Sequence, residues 1–158
     1  MSNRDDLINA FLQANGWGPR ARRPLADDAS FRRYERLREG TRTAVLMDAP
    51  PPQEDIQSFV SMARHLATLG YSAPRITAED LKHGLLILED LGDHTYTRVL
   101  SETPEREADM YAMAVDLLID LHGRPAAESL PPGLAPYDLE LLNQEAIMLP
   151  DWFIPAIT

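Results

Sequence analysis

The chain has 158 residues, 44% of them hydrophobic and 25% charged, a mix that matches folded globular proteins and excludes disordered and fibrous classes. Cysteine is absent, which removes disulfide frameworks, thiolate metal sites and cysteine nucleophiles together. The formal net charge of −10 is unevenly placed: nine of the fifteen basic residues fall in positions 1–42 beside six acids, while positions 43–158 hold six basic and nineteen acidic residues.

The acidic body argues against nucleic acid as a partner, since binders of nucleic acid carry basic faces. The basic opening can hold a small anionic ligand, and the plainer account is a solvated arginine-rich surface. No apolar run reaches the roughly 18 residues of a membrane span, and the opening MSNRDDLINAFLQ is too polar for a signal peptide, so we expect a cytoplasmic protein with no membrane partner. The four histidines (His65, His83, His94 and His122) are too scattered to predict a metal cluster.

In chain order, residues 3–15 place Leu7, Ile8, Phe11 and Leu12 at helical spacing, with Asn3 as cap, Asp5 and Asp6 in the first turn and Gly16 as the stop. Residues 23–25, 31–37 and 43–48 read as three short strands, the last two joined by a tight turn at Glu39-Gly40 and therefore antiparallel. The prolines of APPPQED end the third strand. A helix follows, with an apolar stripe of Ile56, Phe59, Val60, Ala63, Leu66 and Ala67, closing at Gly70. Residues 76–79 and 85–89 are two more strands around a turn at Lys82-His83-Gly84. The run Leu85-Leu86-Ile87-Leu88 is apolar on both faces, as in a buried central strand.

From Asp93 the pattern is helical only: residues 93–102, then a long helix after a Thr103 cap and Pro104, aligning Tyr111, Val115, Leu118 and His122. A proline-rich connection precedes a further helix over residues 137–149. The expected boundary lies at residues 90–93, dividing residues 1–92 from residues 93–158.

Two stretches carry candidate chemistry. In DDASFRRY the small residues Ala29 and Ser30 allow backbone N–H groups to approach an anion, and Phe31 leads into the adjacent Arg32 and Arg33. Successive strand residues point to opposite faces, so only one of the two arginines can serve a given ligand; we favour Arg33 and retain both. The second stretch is Glu89-Asp90-Leu91-Gly92, where the buried strand meets the helical part.

Five strands with one helix between the third and fourth, then a link into helices, resemble the small lobe of the protein-kinase-like fold: an α+β class with a five-stranded antiparallel sheet, one inserted helix and an N-terminal helix, ahead of a mostly α second lobe. The segments LADDASFRRYERL, AVLMDAPPPQED, GYSAP, LLILEDLGDHTY and APYDLELLNQEAIMLPDWF together resemble the aminoglycoside-phosphotransferase-like small-molecule kinases across nearly the whole chain. The branch they resemble most is that of the bacterial cell-wall sugar kinases, which act at the anomeric hydroxyl of N-acetylmuramate and N-acetylglucosamine; choline-like and aminoglycoside-like acceptors are the alternatives.

That resemblance implies ATP and Mg²⁺, with adenine held by the Glu89 carbonyl and the Leu91 amide and with Ala29 to Arg33 covering the phosphates. It also exposes departures. Kinases of this fold carry a third-strand lysine paired with a glutamate on the next helix, whereas here the one lysine is Lys82, Met47 or Asp48 stands near the expected position, and Phe59 falls near the glutamate's. Either the arginines of FRRY replace the lysine, or the lobe binds nucleotide weakly. Glu54 and Asp55 can pair with an arginine or simply face the helix dipole. No histidine has an aspartate two residues on, so the family's catalytic loop and its metal ligands are absent from residues 1–158; we assign no catalytic or metal residue and expect the chain alone to be inactive. A kinase-fold module that binds or regulates without catalysis is a second reading, and an unrelated acidic α+β interaction protein a third. An apolar helical face over residues 104–122 is expected to favour self-association.

Overall fold

The computed structural model describes residues 4–18, 22–25 and 31–157. Five strands form one antiparallel sheet in the order β1-β2-β3-β5-β4: β1 (Arg22–Pro24), β2 (Arg33–Glu39), β3 (Arg42–Asp48), β4 (Ile76–Asp80) and β5 (Leu85–Leu88). Helix α1 (Arg4–Ala14) precedes the sheet and α2 (Ile56–Thr68) lies between β3 and β4. This is the α+β arrangement expected of a protein-kinase-like small lobe.

Alternation along the strands explains why the sheet is covered on both sides. Leu37, Ala44, Leu46, Leu85 and Ile87 point to one face and pack under Ile8, Leu12 and Trp17 of the α1 segment. Met47, Leu86 and Leu88 point to the other and pack under Ile56 and Val60 of α2, with Tyr34, Val45, Phe59 and Ile76 half-buried around them. Each of the fully buried leucine and isoleucine side chains contributes about 1.5–3 kcal/mol. All four residues of β5 are buried, which accounts for its uninterrupted apolar run.

Two glycines shape the turns. Gly40 takes φ +60° and closes the hairpin in which Glu39 faces Arg42. Gly84 takes φ +68°, and a Cβ there would stand 1.9 Å from the Ala49 carbonyl oxygen, so close approach of the chain ends of β3 and β5 requires glycine. At the third-strand end Asp55 caps α2, its carboxylate accepting the Gln57 N–H at 2.9 Å.

Beyond β5 the structure is helical: α3 (Tyr96–Glu102), a 3₁₀ turn (Pro104–Arg106), α4 (Glu107–Gly123), α5 (Ala126–Ser129), α6 (Leu139–Met148), a wider π turn (Leu149–Phe153) and α7 (Ile154–Ile157). Two sequence expectations are adjusted here. Thr103 does not cap the long helix; its hydroxyl donates back to the Val99 carbonyl, and the cap role falls to Thr95 for α3 and Asp138 for α6. The strands are displaced by one or two residues because pairing with neighbours, not composition, sets their ends. The expected cap Asn3 lies outside the described residues. Met110 is the buried residue of α4, while Leu118, Ile119, Leu142 and Trp152 are exposed. Among the described residues no helix is long and apolar enough to cross a membrane.

Candidate functional site

The sheet register divides the arginines of β2 between two faces. Arg33 stands opposite Asp48, and Asp48 is turned toward α1, where Arg4 Nε donates to its Oδ1 at 3.0 Å. Arg33 therefore lies on the α1 face, exposed. Arg32 turns the other way. Its Nε donates to Glu54 Oε2 at 2.9 Å, just ahead of α2, with the two side chains 30% and 13% exposed. Burial pulls the Arg32 pKa down, but hydrogen bonding and Coulomb attraction to Glu54 outweigh it and hold the guanidinium above its ordinary value.

The same alternation separates Met47 from Asp48. Met47 is fully buried on the α2 face beneath Ile56 and Val60, and Asp48 belongs to the α1 face. The position nearest to a third-strand lysine thus carries no charge, and Arg32, beside Glu54 and one strand over, is a cation on that face. Tyr34 stands opposite Met47 and Val45 opposite Leu88. Together with Ile76 they form an apolar wall running from β5 to Arg32.

At the far end of the wall the chain leaves the sheet through residues 89–95. The Glu89 N–H donates to the Arg75 carbonyl at 2.8 Å and its side chain accepts from Arg75 Nε and Nη2, each at 3.2 Å, so the carboxylate is held below its usual pKa by that hydrogen bonding. Asp90 folds its carboxylate under the turn to accept the Gly92 N–H at 3.1 Å. Leu91 is 64% exposed. Among the described residues, neither the Glu89 carbonyl nor the Leu91 amide has a hydrogen-bond partner, leaving one acceptor and one donor two residues apart on an exposed segment.

Arg36 ties this segment to the sheet, a contact that composition does not reveal. Its Nη1 and Nη2 donate to the two oxygens of Asp93 at 2.9 and 2.7 Å, and its Nε lies 3.0 Å from Asp90 Oδ2 as an ion pair without hydrogen-bond alignment. Hydrogen bonding to Asp93 raises the Arg36 pKa, and the same contact depresses that of Asp93. The signal that could have found it is the strand alternation Tyr34, Arg36, Arg38, which puts Arg36 on the wall's face.

Of the predicted binding residues, Arg32 stands two residues before Tyr34 of this wall, Glu89, Asp90 and Leu91 follow Leu88 out of the sheet, and Phe31 is exposed. Ala29 and Ser30 lie outside the described residues. No group of three His, Asp or Glu side chains gathers into a metal site among the described residues.

The profile of the phosphotransferase enzyme family matches residues 21–149. Over 153 residues the chain is 42% identical to the N-acetylmuramate/N-acetylglucosamine kinase of Pseudomonas aeruginosa, a match covering 95% of this chain and 44% of that protein. It is 35% identical over 153 residues to the protein of the same name from Pseudomonas putida, covering 95% of this chain and 43% of the other. The chain spans less than half the length of these relatives.

Proposed function

The chain belongs to the phosphotransferase enzyme family, and from that premise we propose that it is the nucleotide-holding part of an ATP-dependent kinase. The acceptor we propose is N-acetylmuramate or N-acetylglucosamine, phosphorylated at the anomeric hydroxyl in the cytoplasmic recycling of cell-wall sugars. The relatives' names support the acceptor, and the site supports the nucleotide.

The observation that carries the reading is the Arg32–Glu54 pair. Phosphoryl transfer needs fixed positive charge near the phosphates, and kinases of this fold supply it with a lysine braced by a glutamate. Here Arg32 and Glu54 reproduce the braced cation from a neighbouring strand, on the face where Met47 leaves the usual position uncharged. The half-buried Tyr34, Val45 and Ile76 of the apolar wall suit a purine ring, and the open Glu89 carbonyl and Leu91 amide match the acceptor and donor edge of adenine. ATP therefore fits the described residues. Mg²⁺ does not: no set of carboxylates gathers for it among them, so no step is assigned to the ion here.

The test is calorimetric titration of the chain with ATP and Mg²⁺. Saturable binding is expected, weakened about tenfold by Arg32→Gln, the loss of one charge-assisted contact, and partly retained by Arg32→Lys. Absence of binding at millimolar ATP would remove the reading. Met47 favours a second reading, nucleotide binding without transfer. Phosphorylation of N-acetylmuramate by the complete gene product separates the two.

A further inference from the structure

Three arginines share one patch of the sheet. Cross-strand pairing sets Arg23 directly opposite Arg36, so the two side chains leave the same face. Arg38 follows Arg36 by two residues and lies on that face as well. With Pro24 and Leu25 they line a pocket of about 410 Å³.

Like charges opposed across a strand pair repel. Arg36 is compensated by Asp90 and Asp93. Arg23 and Arg38 are not: both are exposed, and neither makes a hydrogen bond or ion pair among the described residues. Acids close enough to relieve Arg36 lie in the 89–95 segment, yet no acid among the described residues pairs with its two neighbours. The patch thus retains two fixed positive charges whose mutual repulsion a bound anion would remove.

The patch is remote from the Arg32–Glu54 pair. At about 3.4 Å per residue, Arg38 lies roughly 17 Å along β2 from Arg33, at the opposite end of the strand. We propose that this pocket is a second anion site, separate from the nucleotide's phosphates, that takes a phosphate ester of a small organic molecule. The Arg23 and Arg38 guanidinium groups grip the phosphate oxygens, a geometry their planar forks suit. Pro24 and Leu25 offer an apolar shelf for the carbon skeleton, and the volume is in the range of small-molecule sites. The assignment stands on the strand register and on two arginines without a partner among the described residues, independent of the kinase reading.

Calorimetric titration of the chain with glucose 1-phosphate, without nucleotide, is expected to show one saturable site. The double variant Arg23→Gln/Arg38→Gln is expected to weaken it by at least about tenfold, since two charge-assisted contacts are lost, and to leave ATP binding unchanged. Arg32→Gln is expected to do the reverse. Both altered side chains are exposed, so the thermal unfolding midpoint is expected to hold; Arg23→Lys/Arg38→Lys, which keeps the charge and loses the fork, is expected to fall between. Orthophosphate is expected to bind more weakly than the ester. The proposal is overturned by any of four results: no saturable binding at millimolar ester, equal affinity in the glutamine double variant, orthophosphate binding as tightly as the ester, or displacement of the ester by ATP together with its loss in Arg32→Gln.

Discussion

Removing the guanidinium that holds Asp48 is expected to cost more than removing the carboxylate's charge. The Asp48 side chain is 8% exposed at the end of β3, and Arg4 is 29% exposed. Both Nε, at 3.0 Å, and Nη2 of Arg4 reach the same Asp48 oxygen. Arg4→Ala strands a buried carboxylate. Breaking a wholly buried pair from one side costs about 3–5 kcal/mol, and water admitted through the space of the partly exposed Arg4 lowers that to about 2–3 kcal/mol. Asp48→Asn leaves a neutral amide that still accepts through Oδ1 and an arginine free to turn to solvent, so about 1 kcal/mol is expected. In the Arg4→Ala/Asp48→Asn double variant most of the larger loss is recovered, because no unpaired charge remains buried. Urea unfolding measures all three, and for a chain of this size the Arg4→Ala midpoint temperature is expected to fall by roughly 4–12 °C. The reasoning fails if Asp48→Asn costs as much as Arg4→Ala, or if the double variant loses the sum of the two.

Gly84→Ala drives a Cβ to 1.9 Å from the Ala49 carbonyl oxygen at a positive φ; more than about 3 kcal/mol of stability is expected to go, read as loss of soluble protein or a collapsed melting transition, and a normal melt would contradict the geometry. Burial pushes the Asp80 pKa up, but hydrogen bonds from the His83 ring and N–H outweigh it and hold the group below the usual carboxylate range. A depressed carboxylate stabilises the fold above its unfolded pKa and loses that contribution as pH falls through the lower, folded value. Thermal melts below about pH 4 should therefore fall less steeply in Asp80→Asn than in the parent, and parallel curves would refute the pairing. The exposed Leu118, Ile119, Leu142 and Trp152 predict concentration-dependent association of the chain; a monomer by light scattering at high concentration would argue against it, and Leu118→Glu/Ile119→Glu is expected to reduce it.

Element kinds and their order follow from residue pattern. The period of 3.6 in residues 56–67, the period of two in β2 and β3, the proline block after Asp48 and the apolar run at residues 85–88 are local properties, and each produced the element it implied. The hairpin at Gly40 was equally local, since two residues must reverse the chain there. The partners of charged side chains were not local. Alternation shows that Arg32 and Arg33 diverge, but which one faces α2 depends on the register of β2 against β3, a choice made by burying Leu37, Leu46 and Ile87 under α1. That same choice turned Asp48 to Arg4 across 44 residues and Arg36 to Asp93 across 57. Hydrophobic burial sets the register because it outweighs any single surface ion pair; the charges then pair with whatever the packed sheet brings within reach.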